Sequence, residues 1–350
     1  MKKILPFVIP ITACYPATSH ASGILFTDKN ISNWMFNNFI QIFQVESNDA
    51  IDYYDFAIDN NPFLSYNELN YQFVYHNWNT MDDFLIASIR DNYYVRVFNN
   101  ISKNPLYGKS NDFEHDILIF GYDKHSKMYD VADHFRNGKF QTGQCSFDEL
   151  NQAIDTFDPD KFNSNRAFLN NFQLIQKETD LKKLRFSMYT PEEMDYFLSL
   201  NLQRIICSLK DYLDCIPTTN WYTRGRAMDG VLASTHKWGI DCYDVVKRKI
   251  EHEDFPFLIQ SCHVIHNHKL LMIERIKRIH DFYKFNQEDV FIEYYKDLLE
   301  RTDRLLRLVI KYMVVSDKKV LRNRIDSLIN EIRDIDYEYT LKLFMALQKI

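Results

Sequence analysis

The C-terminal half of the chain repeats one pattern. Between Glu192 and Leu213 the apolar residues Met194, Phe197, Leu198, Leu202, Ile205, Ile206 and Leu209 recur at helical intervals, which predicts an amphipathic helix stopped before Pro217. Runs of the same period cover about 241 to 252, 256 to 283, 288 to 315 and 317 to 348, joined by short polar segments. Helices with one apolar stripe bury it only against each other, so this half predicts an all-α bundle. The first half reads differently. Tyr71 to His76, Phe84 to Ile89, Tyr93 to Phe98, Ile117 to Phe120 and Met128 to Val131 are short runs rich in aromatic and β-branched residues, which predict strands. The segment Asn99 to Glu114, with Pro105 and Gly108, reads as the loop between two of them. Ahead of the strands, Ile31, Trp34, Met35, Ile42 and Phe43 fall near helical spacing, with Asn30 or Ser32 as the cap. The fold class is therefore α+β, a helix and antiparallel sheet in residues 1–150 followed by a helical domain in 151–350, with the boundary placed between 150 and 190.

The N-terminus admits two readings. Lys2 and Lys3 precede an apolar run from Ile4 to Ala13, and Ile11 to Cys14 resembles the cleavage box of an exported lipoprotein. Against export, Pro6 and Pro10 interrupt the run, and Tyr15-Pro16-Ala17 leads directly into structured sequence. The competing reading makes Ile4 to Thr12 an extended segment that delivers Cys14 to the start of a helix, with Pro16 in the first turn, where its missing N–H costs nothing.

Composition narrows the function classes. A chain with 46% hydrophobic and 15% aromatic residues is globular rather than disordered. Only 8 of 350 residues are glycine, and neither G-x-G-x-x-G nor G-x-x-x-x-G-K-[ST] occurs, which argues against a dinucleotide site or a P-loop. The formal net charge of -6 and the lack of a basic stripe give no reason to expect a nucleic-acid partner. No stretch of about 18 apolar residues predicts a membrane span. Six cysteines (Cys14, Cys145, Cys207, Cys215, Cys242, Cys262) without C-x-x-C spacing point to a reducing compartment, here the cytoplasm, rather than to a disulfide framework.

Chemistry concentrates in Cys14, His115 and Asp133. A thiol at a helix N-terminus is favoured as thiolate by the helix dipole, and a neighbouring imidazolium favours it further. His115 begins one predicted strand and Asp133 ends the next, so a hairpin sets them at the same edge, where the carboxylate would fix the imidazole tautomer. Asp130 competes with Asp133 for that role, but alternation puts the two on opposite faces. Gly121 is expected to begin the turn between these strands, and Tyr15 and Tyr122 to wall the pocket. Elsewhere, His263, His266 and His268 with Glu274 on one helix suggest a metal site, although no partner helix carries matching ligands and none is expected to bind. The loop Trp221 to Arg226 could hold a phosphate, and Arg301, Arg304 and Arg307 could meet an acidic partner, but a solvated surface accounts for both.

The run His115 to Asp123 (HDILIFGYD), followed by Met128 to Asp133 (MYDVAD), resembles the pattern of papain-like cysteine enzymes of the bacteriocin-leader peptidase type. The layout is similar to the butirosin-biosynthesis acyltransferase-like branch, in which a short papain-like domain precedes a helical extension. The match covers about 14 to 26 and 93 to 150, and Ile265 to Arg275 is similar to the extension. The resemblance implies acyl transfer in antibiotic biosynthesis without a cofactor. An acyl or aminoacyl group would pass from the phosphopantetheine thioester of an acyl or peptidyl carrier protein to Cys14, and then to an amine to form an amide. It implies Cys14 as nucleophile, His115 as base and Asp133 as the orienting acid. The chain departs from the pattern ahead of Cys14, where Pro10 to Ala13 offers no Gln or Asn for an oxyanion hole and leaves backbone N–H groups or Thr12. Three other readings stay open: a cysteine peptidase or amidase on the same fold, a non-catalytic binding protein on a degenerate one, and a non-enzymatic exported lipoprotein.

Overall fold

A computed structural model describes residues 1–45, 48–54, 61, 63–157, 171–178, 198–218, 236–316 and 318–350. In chain order its elements are β1 (Lys2–Ile4), α1 (Pro16–Leu25), α2 (Asn33–Asn38), β2 (Ile42–Val45), β3 (Ala50–Tyr53), β4 (Leu64–Asn70), α3 (Tyr71–Asn77), α4 (Met81–Arg90) and β5 (Tyr94–Asn100). There follow β6 (Glu114–Asp123), β7 (Met128–His134), β8 (Phe140–Ser146), α5 (Phe147–Asp155), β9 (Asn171–Lys177), α6 (Leu202–Leu213), α7 (Tyr243–Glu251), α8 (Leu258–Tyr283), α9 (Glu288–Val314) and α10 (Lys319–Leu347). The protein is mixed α+β, with an antiparallel sheet and a C-terminal helical region.

The chain divides into two compact units, one of Met1–Lys29 with Ala57–Tyr189 and one of Asn30–Phe56 with Thr190–Ile350. This differs from a single division between 150 and 190: residues 30–56 leave the first unit, and 171–177 return to it as β9.

In the first unit the strand order is β4-β9-β5-β6-β7-β8, with β1 also paired to β6. Strand β6 is the axis. Its N-terminal part pairs with β5 from Asn100↔Glu114 to Val95↔Ile119, and its C-terminal part with β7. Where β5 gives out, β1 continues its line through Lys2↔Asp123, Lys3↔Tyr122 and Ile4↔Gly121. Of the apolar run from Ile4 to Ala13, Ile4 lies in β1; Leu5 N–H then reaches the Phe120 carbonyl of β6 at 2.8 Å, and Val8 N–H that of Gly23 in α1 at 3.1 Å. Among the described residues no helix is long and apolar enough to cross a membrane.

Two expected strands are helices. In α4, Thr80 accepts the Asp83 N–H at 3.1 Å and Asp82 and Asp83 complement the helix dipole. The buried positions Met81, Phe84, Leu85, Ser88 and Ile89 recur at helical spacing, which overrides the strand preference of their side chains. In α3, Asn70 caps through the Gln72 N–H at 2.8 Å. The expected helix over 31–44 is only six residues long as α2, and Ile42 and Phe43 belong to β2 instead. Ser32 stands at its N-cap position without a capping side-chain bond.

The second unit contains the helices expected from the periodicity, with α7 to α10 close to the predicted limits. The helix expected from Glu192 is interrupted at Asn201, which caps α6 through the Arg204 N–H at 2.7 Å; residues 192–197 lie outside the described residues. A buried polar centre joins four of these helices. Asp336 of α10 accepts from Lys269 Nζ of α8 at 2.5 Å, from the Tyr212 hydroxyl of α6 at 2.7 Å and from the Tyr243 hydroxyl of α7 at 3.0 Å, all through Oδ2. Lys269 and Asp336 are both 0% exposed. Arg275, equally buried, donates from Nε to the Phe36 carbonyl and from Nη2 to that of Phe39, each at 2.7 Å, closing the C-terminal end of α2. Removing one member of a buried pair strands the other charge. Asp336→Ala should lower stability in urea unfolding by about 3–5 kcal/mol, whereas Asp334→Ala, on the exposed face of the same helix, should shift it by less than about 0.5 kcal/mol.

Candidate active site

His115 is the second residue of β6 and Asp133 the penultimate residue of β7. Leu118 stands opposite Ala132, so the antiparallel register sets Asp133 level with Ile117, diagonal to His115 and on the same face. His115 Nδ1 lies 2.7 Å from Asp133 Oδ2. The carboxylate accepts a hydrogen bond from Nδ1–H, which leaves Nε2 as the ring nitrogen not committed to Asp133. The Asp133 side chain is 0% exposed while that of His115 is 26% exposed, so one end of the pair is sealed and the other reaches the surface.

Burial pulls His115 down, but the Asp133 charge and hydrogen bond, with Asp116 behind them, outweigh it and push the imidazole up to about 9. Burial likewise pushes Asp133 up, and the charge and hydrogen bond of His115 overcome it, holding the carboxyl well below its usual range. At neutral pH the pair is imidazolium and carboxylate.

The loop between β5 and β6 supplies a third member that the sequence reading missed. Asn104 accepts the Leu106 N–H at 3.2 Å, Pro105 opens a single 3₁₀ turn, and Gly108 closes it at φ 61, a value that favours glycine. This turn aims Tyr107 inward, where its hydroxyl donates to Asp133 Oδ2 and its ring sits edge-on to His115 at 6.2 Å. Asn99, opposite His115 in the ladder, donates from Nδ2 to the His115 carbonyl at 2.7 Å. The Asn-Pro and Gly108 signals give the turn, but not its target.

Asp130 is engaged elsewhere. Its Oδ1 accepts from Gln144 Nε2 at 2.8 Å, and its carboxylate stands over Gly121, where a Cβ would come within 2.6 Å of Oδ2. Gly121 lies inside β6 at a register irregularity rather than in the turn, and this close approach accounts for its lack of a side chain. Tyr122 is buried opposite Tyr129, seven residues and roughly 23 Å along the strand from His115, and walls no pocket there.

Cys14 is buried and lies just ahead of α1, with Tyr15 at the N-cap and Pro16 at the first helical position. Its segment is tied down on both sides. The Thr12 carbonyl accepts from Ser19 Oγ at 3.2 Å, and the Thr12 hydroxyl, fully buried, donates to Ser22 Oγ at 2.7 Å. Thr12 is therefore withdrawn as an oxyanion donor, which leaves backbone N–H groups. The Ala13 carbonyl lies 3.0 Å from Nε2 of His134, the neighbour of Asp133, whose ring centroid is 6.3 Å from that of His115. One helical turn on, His20 Nε2 lies 3.1 Å from the Ala132 carbonyl. Burial lowers His20 to about 4, against the pull of Asp116, so it stays neutral and donates from Nε2. Both links join the start of α1 to the end of β7.

The remaining candidates have other occupations. Burial pushes the thiols of Cys145 and Cys262 up to about 12 and that of Cys215 to about 11, which leaves them protonated near neutrality. His266 meets Thr302 Oγ1 at 3.1 Å, His268 the Ile40 carbonyl at 2.9 Å, and Glu274 pairs with Lys277. Among the described residues no group of three or more His, Cys, Asp or Glu side chains could hold a metal. Arg301 pairs with Asp297 and Glu331, and Arg307 with Asp303. The loop Trp221 to Arg226 lies outside the described residues. No protein-family model and no curated protein matches the chain.

The His115–Asp133 pair sets a pH window for stability. With the folded imidazole at about 9 against 6.5 for an ordinary histidine, its contribution is complete below 6.5 and fades as pH rises toward 9. The stability difference between the protein and Asp133→Asn, measured by denaturant unfolding, should shrink across that interval, and a difference constant from pH 6 to about 9.5 would contradict the pairing.

Proposed function

We propose that the protein is a cysteine acyltransferase on a papain-like domain, taking an acyl or aminoacyl group from a carrier-protein thioester and delivering it to an amine. The observation that carries this reading is the buried Asp133 hydrogen-bonded to His115 beside the strand end that is bound to the residue before Cys14. A thiol just ahead of a helix, a histidine on one strand and a carboxylate on the next is the order that the resemblance to papain-like enzymes implies.

The cycle follows from these groups. The Cys14 thiolate attacks the thioester carbonyl, forming a carbon–sulfur bond, and the tetrahedral oxyanion is met by backbone N–H groups. Its collapse breaks the bond to the phosphopantetheine sulfur, which leaves with the proton from His115 Nε2. The amine then attacks the acyl-enzyme, His115 takes its proton, and the amide departs as the Cys14 thiolate and the imidazolium are restored. Asp133 keeps its charge throughout. Water in place of the amine makes the same cycle a hydrolysis, so the acceptor separates transferase from hydrolase.

Incubation with an acyl-loaded carrier protein or a thioester mimic should give an acyl adduct by intact mass that is absent in Cys14→Ala and accumulates without amine. An adduct unchanged by that substitution would overturn the assignment. Amide formation in the Asp133→Asn variant should fall by roughly 10³–10⁴-fold. The descending limb of its pH profile, near 9 in the native protein, should move to lower pH, because burial then acts on His115 unopposed by that carboxylate.

A further inference from the structure

We infer that His134 is a positioning residue for the nucleophile, fixing the segment that carries Cys14 against the His115–Asp133 pair through its hydrogen bond to the Ala13 carbonyl. This deepens the acyl-transfer reading and rests on it. Three observations support it.

The first is the place of the bond. The acceptor is the carbonyl one residue before Cys14, and the donor sits one residue after Asp133. A single 3.0 Å contact therefore spans the two halves of the triad, which are 119 positions apart in the chain. The second is the direction of the ring. Nε2 is taken up by Ala13, whereas Nδ1 is buried without a hydrogen-bond partner, 3.6 Å from Asp133 Oδ1, which has none either. The ring of His134 thus stands between the two, with Nε2 on the nucleophile segment and Nδ1 within ion-pair range of the carboxylate. The third is support from behind. The ring packs edge-on against Phe140 at 5.2 Å, and Phe140 also meets His20 of α1 at 5.7 Å, so the donor is held by the same sheet that holds the acid.

A structural contact and a positioning residue differ in what their loss changes. Gln places an amide N–H near the position of Nε2, Met matches Gln in length without a donor, and Phe keeps the ring packing without one. The readouts are the pH dependence of Cys14 alkylation by iodoacetamide, followed by mass, and the thermal midpoint of each variant. Alkylation needs no acyl donor, so it judges His134 even if no thioester adduct forms; adduct formation on the native protein judges the acyl-transfer reading by itself.

His134→Gln should alkylate within about threefold of the native rate at pH 7, whereas His134→Met and His134→Phe should be slower by about tenfold or more. Met and Gln should melt together. Native alkylation rates in both the Met and Phe variants would overturn the inference, as would a Gln variant as slow as Met. Should the Phe variant not fold, the Met and Gln pair decides alone.

Discussion

A carboxylate removed from water must be given partners or give up its charge, and Asp133 is the place where the first unit meets that constraint. Its requirement reaches far along the chain. It fixes the register of β7 on β6, since a slip by one residue would turn the carboxylate away from His115. It gives the turn at Pro105 a purpose, because Tyr107 supplies a second donor to the same oxygen. It also leaves His115 charged while partly open to the surface, which a satisfied core residue would not be.

The second unit resolves a similar problem differently. Lys269 and Asp336 are sealed from solvent, and Lys269 Nζ reaches Asp336, Tyr212 and the Nδ1 of His268, a number of partners equal to its hydrogens. With every hydrogen engaged and the surrounding rings closed over it, this centre specifies how helices pack. The first unit's pair is instead open at one end, through the 26% exposed side chain of His115.

Much of this was legible in the sequence. Helices α7 to α10 are long and strongly periodic, so tertiary context had little room to change them. His115 and Asp133 were readable because alternation and hairpin pairing are local rules. Asp130 was separated from Asp133 by the same parity. Short aromatic runs were less informative: Phe84 to Ile89 has strand composition, and Thr80 with the acidic first turn decides for a helix. Strand β4 carries Ser65, Asn67 and Glu68 and buries only Leu64 fully, so no apolar alternation marks it; its place comes from pairing with β9, over a hundred residues away. The targets of Tyr107 and His134 are set by which loops meet in space, a relation that no local spacing encodes.

The division of the chain has a consequence for how the protein can be made. The first unit needs β9 between β4 and β5, and the second needs residues 30–56 beside helices that begin after residue 200. During synthesis, α1 and the Cys14 segment emerge long before the strands that hold them, and α2, β2 and β3 wait for α8, whose Arg275 and His268 bind carbonyls of the 36–40 stretch. Neither unit can finish while the ribosome is still on its early portion, and no single cut yields two whole halves. The polypeptide is laced rather than strung: the first unit is whole only once residue 189 has emerged, and the second waits for the C-terminal helices.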